Sequence, residues 1–317
     1  MCPPALPKGP KWFPPHVSQR APCESISSRR FTVLKCRPPN SGPSFGGHRW
    51  LGCPRATESS TKNRARAVSI CALTIPCFNE ATRLEMASFA TLASQPDFQF
   101  IFVDDGSTDA TYDVIRRFAA CNENITALRQ DRNRGKAEAV RRGMNEALRR
   151  GAHVVGYLDA DLATPIDEVL RLREAMDERD VQVVLATRIR MLGTHIERRV
   201  WRHYTGRVFA TAASLTLGLG VYDTQCGAKL FRASPLLKAA LMRPFVSRWA
   251  FDVELLGRLL VGDGSARALS DTDLLEIPLQ TWIDVPGSKL GWLAIAQSVL
   301  DLARINLELW RRRRLHR

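Results

Sequence analysis

At 317 residues, 45% of them hydrophobic, the chain can bury a substantial core and is long enough for one large or two small domains. Its formal charge of +14 is uneven: residues 1–66 hold twelve Lys and Arg against two acids, so +10 lies there and the rest is mildly basic. No C-x-x-C pair or His–Cys cluster has zinc spacing, and no apolar run reaches the ~20 residues that span a bilayer.

Residues 1–66 carry eleven of the 18 prolines and no hydrophobic periodicity, which predicts a disordered basic tail. Such a tail can bind nucleic acid non-specifically. With sparse aromatics and no recognition motif, no specific nucleic-acid partner is expected. Order is predicted to begin near Val68. Residues 69–75 read as a buried strand, followed by Pro76-Cys77-Phe78-Asn79-Glu80 and a helix over 82–93. Residues 98–103 read as a second strand, ending in Asp104-Asp105-Gly106-Ser107-Thr108-Asp109. Ser107 or Thr108 can cap a helix over 110–120. A third strand, 125–129, leads through Asn133-Arg134-Gly135-Lys136 into a helix over 137–150. A fourth, 153–158, ends in Asp159-Ala160-Asp161.

Beyond Pro165 the pattern predicts a helix to about 177 and a strand over 181–187. A basic segment follows, with Arg188, Arg190, Arg198, Arg199, Arg202 and Arg207, then a helix of small residues to Gly220. Residues 223–232 read as a turn into a strand, 248–260 as a helix and 274–282 as a strand. Within the helix, Asp252 and Glu254 are placed to pair with a core Arg such as Arg248. An amphipathic helix over 292–310 ends in Arg311–Arg314. Its apolar face and basic end suit either docking on the domain or an anionic membrane surface. Of the cysteines beyond the tail, most sit in apolar stretches and read as buried thiols.

Strands alternating with helices predict βαβ units and a parallel sheet. In such sheets ligands bind beyond the carboxyl ends of the strands. The polar clusters at 79–80, 104–105, 133–136 and 159–161 all fall at those ends. An isolated Asp-x-Asp is more often the solvated opening of a helix. At an open strand end among the other clusters, two hard oxygen ligands suit Mg²⁺ or Mn²⁺, which take further ligands from water and substrate phosphates.

Pro76–Glu80, Val103–Asp109, Asn133–Lys136 and Asp159–Asp161 stand in the order and spacing of the family 2 glycosyltransferases, which the chain resembles. Asp223–Phe231 (DTQCGAKLF), Arg248–Leu256 (RWAFDVELL) and Gly287–Leu290 (GSKL) are similar to the dolichyl-phosphate β-glucosyltransferases and bacterial polyprenyl-phosphate relatives. The resemblance covers residues 68–309. It implies a GT-A fold, α/β and Rossmann-like, in one domain over 67–290 with a mostly parallel sheet, followed by the helix of 291–317. It implies transfer of a sugar, glucose from UDP-glucose, onto a polyprenyl or dolichyl phosphate at the cytoplasmic face of a membrane, with peripheral contact. Pro76, Phe78, Glu80, Asp104, Asp105, Lys136 and Asp159 would bind the nucleotide sugar. Asp159 and Asp161 would hold Mg²⁺ or Mn²⁺. Arg188, with Arg199 or Arg202, would hold the acceptor phosphate, and Asp223, Gln225 and Asp252 would contact sugar hydroxyls or order those arginines. Phe78 stands where the family usually has Tyr, and Ala137 where it usually has Gly. The transmembrane helices that many bacterial relatives append are not found in the sequence. A GDP-mannose-dependent transferase and a non-catalytic nucleotide-sugar or anionic-lipid binder are the alternatives, and the intact Asp pair speaks against the second.

Overall fold

Strand β2 (Phe98–Asp104) shows how the sequence builds the centre: Phe100 and Phe102 bury on one face, Ile101 and Val103 on the other. The computed structural model describes residues 69–197, 200–264, 266–283 and 292–315. The basic tail, Arg199 and the Gly-Ser-Lys-Leu motif at 287–290 lie outside the described residues, as does the side chain of Arg202.

Besides β2, the central sheet contains β1 (Cys71–Cys77), β3 (Ile125–Arg129), β4 (Val154–Leu158), β5 (Val183–Thr187), β7 (Ala228–Arg232) and β8 (Leu274–Pro278). Its seven strands run in the order β3-β2-β1-β4-β7-β5-β8. All neighbours are parallel except those of β7, which runs against β4 and β5. A second sheet pairs β6 (His195–Glu197) with β9 (Thr281–Ile283).

On the Ile101 side the sheet is covered by α3 (Lys136–Arg149), α5 (Val200–Leu217), α6 (Pro235–Met242), α7 (Phe251–Val261) and α8 (Trp292–Leu315). On the Phe100 side lie α1 (Met86–Ala93), α2 (Thr111–Ala120) and α4 (Ile166–Arg179). Phe89 of α1 packs edge-on against Phe100 and Phe102, with ring centroids 5.7 and 5.0 Å away. Ala137, in the position where a second glycine is usual, is buried against the core as the second residue of α3.

The β1 terminus, Cys77, is level with Asp104 of β2, and Ala228 at the start of β7 sits opposite Leu158 at the end of β4. Because β7 is reversed, the segment before it arrives at the same edge that the parallel strands point to. The site therefore draws on residues before β7 as well as residues after β1, β2, β4 and β5.

Several local expectations are corrected. The strand expected over 274–282 is two strands in different sheets. The chain turns between them, and the N–H groups of Gln280 and Thr281 donate to the buried Glu168 carboxylate at 2.7 and 2.9 Å. Ser107 and Thr108 do not cap α2, whose N-cap residue Ala110 has no side-chain bond. Ser107 Oγ instead accepts from the Asn79 N–H at 3.0 Å. Glu254 pairs with Arg258 at 2.6 Å and Asp252 with Lys229 at 2.9 Å, while Arg248 points elsewhere. Cys71, Cys77 and Cys226 are buried, and burial pushes the Cys71 thiol up to about 12.

Candidate functional site

The loop after β1 is tied to the loop after β2. Asn79 takes a left-handed conformation (φ 54°), which Asn tolerates better than most side chains. Its Oδ1 accepts from the Thr108 N–H at 2.9 Å, and the Glu80 N–H donates to Thr111 Oγ1 at 2.8 Å. The Glu80 carboxylate meets Arg83 at 3.3 Å. Pro76 and Phe78 flank Cys77 here, both half-buried.

Adjacent acids at the end of β2 do different work. Asp104 is buried, accepts from the Ser107 N–H at 3.1 Å and meets Arg129 Nε at 3.2 Å. Asp105 gathers the loop after β3: Gln130 Nε2 and the Arg134 N–H donate to Oδ1 at 2.7 Å, and the Gly135 N–H donates to Oδ2 at 2.8 Å. Burial pushes its carboxyl up, against the pull of those backbone donors. A carboxylate has about four acceptor positions, so most of Asp105 serves the loop.

That loop delivers Lys136, first residue of α3, to Asp159, with Nζ 2.5 Å from Oδ1. Burial would lower the Lys136 pKa, but Asp159 and Asp252 hold it above the usual lysine value. The Asp159 N–H donates to Gly227 O at 3.1 Å. A Cβ at Gly227 would stand 2.1 Å from Asp159 Oδ2, so any larger residue there must displace that carboxylate. Gly227→Ala is therefore expected to swing that carboxylate aside and slow turnover about 10²-fold, the cost of a displacement near 1 Å at a reacting centre. A kcat measurement beside a folding control checks it. Asp161 accepts from the Ala163 N–H at 3.2 Å, and its nearest cation is Arg83 at 3.9 Å. Burial and the Asp159 charge push its pKa up.

Asp159 and Asp161 are thus two carboxylates at one open edge, 33% and 30% exposed at the side chain. Among the described residues no group of three or more His, Cys, Asp or Glu could hold a metal unaided. A pair of hard oxygens fits a divalent ion such as Mg²⁺ or Mn²⁺, which completes its shell with water and phosphate oxygens.

Arg188 follows β5 and grips Asp223 through two bonds, Nε to Oδ2 at 2.7 Å and Nη2 to Oδ1 at 2.9 Å. Asp223 is fixed in turn: its N–H donates to Glu276 at 2.7 Å, and its Oδ1 accepts from the Gln225 N–H at 3.1 Å. Burial would lower the Arg188 pKa, and Asp223 holds it above the usual value, with Cys226 and Asp159 adding to the effect. A pocket lined by Arg188, Arg207, Tyr222, Asp223, Thr224 and Gln225, among others, opens here. Arg207 was only one member of a basic run in the sequence. In the structure it lies 3.8 Å over the Tyr222 ring, and its buried Nη1 has no hydrogen-bond partner among the described residues. An unsatisfied cationic donor lining a pocket is a place for an anion.

The structure thus brings Lys136, Asp159, Asp161, Arg188, Asp223 and Gln225 to one edge. It places Asp252 apart from the arginines. Asp252 is buried with Lys229, whose Nζ also donates to Cys226 O at 2.6 Å, and it accepts from the Tyr157 hydroxyl. Burial pushes the Asp252 carboxyl up and the Lys229 ammonium down, and their contact at 2.9 Å opposes both shifts. Lys229 thus ties the pair to the turn at Cys226–Gly227, and the Asp252 charge also acts on Lys136.

Comparison with known proteins gives the family and the fold. The model of the family described as Glycosyl transferase family 2 matches residues 73–238. The dolichyl-phosphate beta-glucosyltransferase of Drosophila melanogaster is 30% identical over 259 residues, 75% of this chain and 76% of that protein. The Trichomonas vaginalis dolichyl-phosphate beta-glucosyltransferase ALG5A is 30% identical over 246 residues, 74% of this chain and 72% of the relative. Among solved structures, the glucosyl-3-phosphoglycerate synthase of Mycobacterium tuberculosis in complex with Mn²⁺, UDP and glucosyl-3-phosphoglycerate shares the fold. Its TM-score is 0.55 at 16% identity, covering 76% of this chain and 80% of that one. The GT-A architecture inferred from the motifs is therefore the one observed, and the chain belongs to glycosyl transferase family 2 and is a glycosyltransferase.

Proposed function

We propose that this chain transfers glucose from UDP-glucose to dolichyl phosphate, or a polyprenyl phosphate like it, with inversion at the anomeric carbon. The observation that carries the reading is that Gly227, whose carbonyl accepts from the Asp159 N–H, lies two residues beyond Gln225 of the arginine-lined pocket. Two 30%-identical relatives are dolichyl-phosphate beta-glucosyltransferases, which supports the sugar and the acceptor.

Asp159 and Asp161 would hold a divalent ion, which when bound stabilises negative charge on the departing diphosphate. Lys136 adds a fixed positive charge beside Asp159. Arg207, with its free buried donor, and Arg188, braced by Asp223, would orient the acceptor phosphate. A phosphate monoester has a second pKa of ~6, so at neutral pH it is mostly a dianion and needs no general base. Its oxygen forms the new bond to the anomeric carbon as the carbon–oxygen bond to UDP breaks, and UDP leaves with the electron pair.

No described helix is long and apolar enough to cross a membrane. The outward side of α8 carries exposed Leu300, Leu307 and Trp310 interleaved with exposed Arg304, Arg311 and Arg314. Apolar side chains among arginines suit the surface of an anionic bilayer, where a long-chain lipid acceptor resides.

The test incubates the protein with radiolabelled UDP-glucose, Mn²⁺ or Mg²⁺, and dolichyl phosphate in liposomes containing an anionic lipid. Label in the organic phase, with protein sedimenting on the vesicles, is the expected result. Label from GDP-mannose alone would replace the donor. Nucleotide binding without any lipid label would overturn the acceptor.

A further inference from the structure

The segment between β3 and α3 is gripped from two sides. Asp105 takes the Arg134 and Gly135 N–H groups, and Arg248 takes the carbonyls. Arg248 Nε donates to Arg134 O at 3.2 Å, and Nη2 donates to Asn133 Oδ1 at 2.7 Å and Asn133 O at 3.4 Å. Gly135 makes room for this contact. Its φ is 95°, and a Cβ there would lie 2.6 Å from Arg248 Nε. The next residue is Lys136, which reaches Asp159.

Arg248 acts from a fixed base. Ser247 Oγ donates to the buried Asp301 of α8 at 2.7 Å and accepts from the Ala250 N–H at 2.8 Å. The Val246 N–H donates to Glu254 at 2.8 Å. Glu254 is itself buried against Arg258. The exposed guanidinium therefore extends from a well-tied turn onto a segment whose N–H groups Asp105 holds from the other side.

We propose that Arg248 is a positioning residue: its guanidinium fixes the Asn133–Lys136 backbone so that Lys136 stays on Asp159, and it thereby sets the affinity for a nucleoside diphosphate. The ligand class rests on the function proposed above. The hold on the loop does not, so the two can fail separately. Arg248 contacts neither Asp159 nor Asp161 and takes no part in the chemical step. Lysine, a point charge, cannot reach two carbonyls as a planar fork does, so Arg248→Lys should fall between wild type and Arg248→Ala.

The experiment uses the full chain. Hydrogen exchange without ligand is read at residues 131–136, and calorimetry with Mn²⁺ and UDP gives the affinity. For Arg248→Ala, exchange at 131–136 should rise about tenfold, and UDP should bind about tenfold more weakly, as expected for loss of charge-assisted hydrogen bonds. Millimolar guanidinium ion should restore most of the binding, and the acceptor KM should stay at its wild-type value. Unchanged exchange at 131–136, or unchanged UDP affinity, overturns the proposal. So does weakened binding that guanidinium leaves unrestored while the melting temperature falls, because that outcome marks a folding role alone. A wild-type chain that binds neither UDP nor GDP overturns the diphosphate part. A chain that binds UDP but labels no lipid sinks the proposed acceptor and leaves this inference intact.

Discussion

Asp161→Asn is expected to keep the fold and lose glycosyl transfer by a factor on the order of 10²–10³, the range seen when one group that stabilises transition-state charge is removed. Asparagine preserves the shape and the acceptor for the Ala163 N–H, so the turn after β4 should hold. What it removes is the negative charge that a divalent ion needs. Burial and Asp159 already oppose that charge in the folded protein. The variant should therefore melt no lower than wild type in the absence of metal. Steady-state kinetics over a Mn²⁺ titration, beside a thermal melt, checks both halves. A variant with wild-type turnover would remove Asp161 from the site, and one that unfolds would make it a structural acid.

The largest expected loss of stability lies behind the site. Lys229→Ala should cost about 3–5 kcal/mol, the usual range when one member of a buried ion pair is deleted. Lys229 is 0% exposed at the side chain and Asp252 is 7% exposed, so Asp252 would lose the ammonium 2.9 Å away in a place that water hardly reaches. Replacing both, as Lys229→Met with Asp252→Leu, should recover about half of that loss, since an apolar pair of similar volume needs no compensation. The Tyr157 hydroxyl, which donates to Asp252, would lose its partner and keep about 1–3 kcal/mol of the penalty. Urea unfolding of the two single variants and the double gives the coupling. Independent costs that simply add would show that Lys229 and Asp252 do not act as a pair.

The strands from β1 to β5 were legible because their apolar runs end in polar clusters, and the parallel sheet followed from the alternation with helices. The reversal of β7 was not, since a five-residue strand reads the same in either direction. The Asp159–Asp161 pair and Lys136 were legible from position at strand ends. The division of labour between Asp104 and Asp105 was not, because it depends on a loop returning from residues 130–135. Glu254 could have been matched with Arg258 by their spacing of four on one helix, a signal present in the sequence. Arg248 was assigned to that pair instead, and its real partners lie 114 and 115 positions away. Arg207 was hidden among its basic neighbours. Only the three-dimensional pocket shows which guanidinium has a buried donor to spare.

The reversed β7 also bears on how the protein is made. A ribosome releases β4 and β5 before residues 228–232, the strand that joins them. Until it emerges, β4 carries an open edge of unpaired backbone groups, the kind of surface that invites wrong pairing. Asp159 likewise waits for Gly227, which supplies the acceptor for its N–H. Closing a sheet between distant segments is slow compared with forming local helices. A nascent chain that has not yet exposed β7 thus has every strand-end acid of the donor half but no finished edge to use them, and the arginine pocket is braced later still, when Glu276 of β8 reaches Asp223.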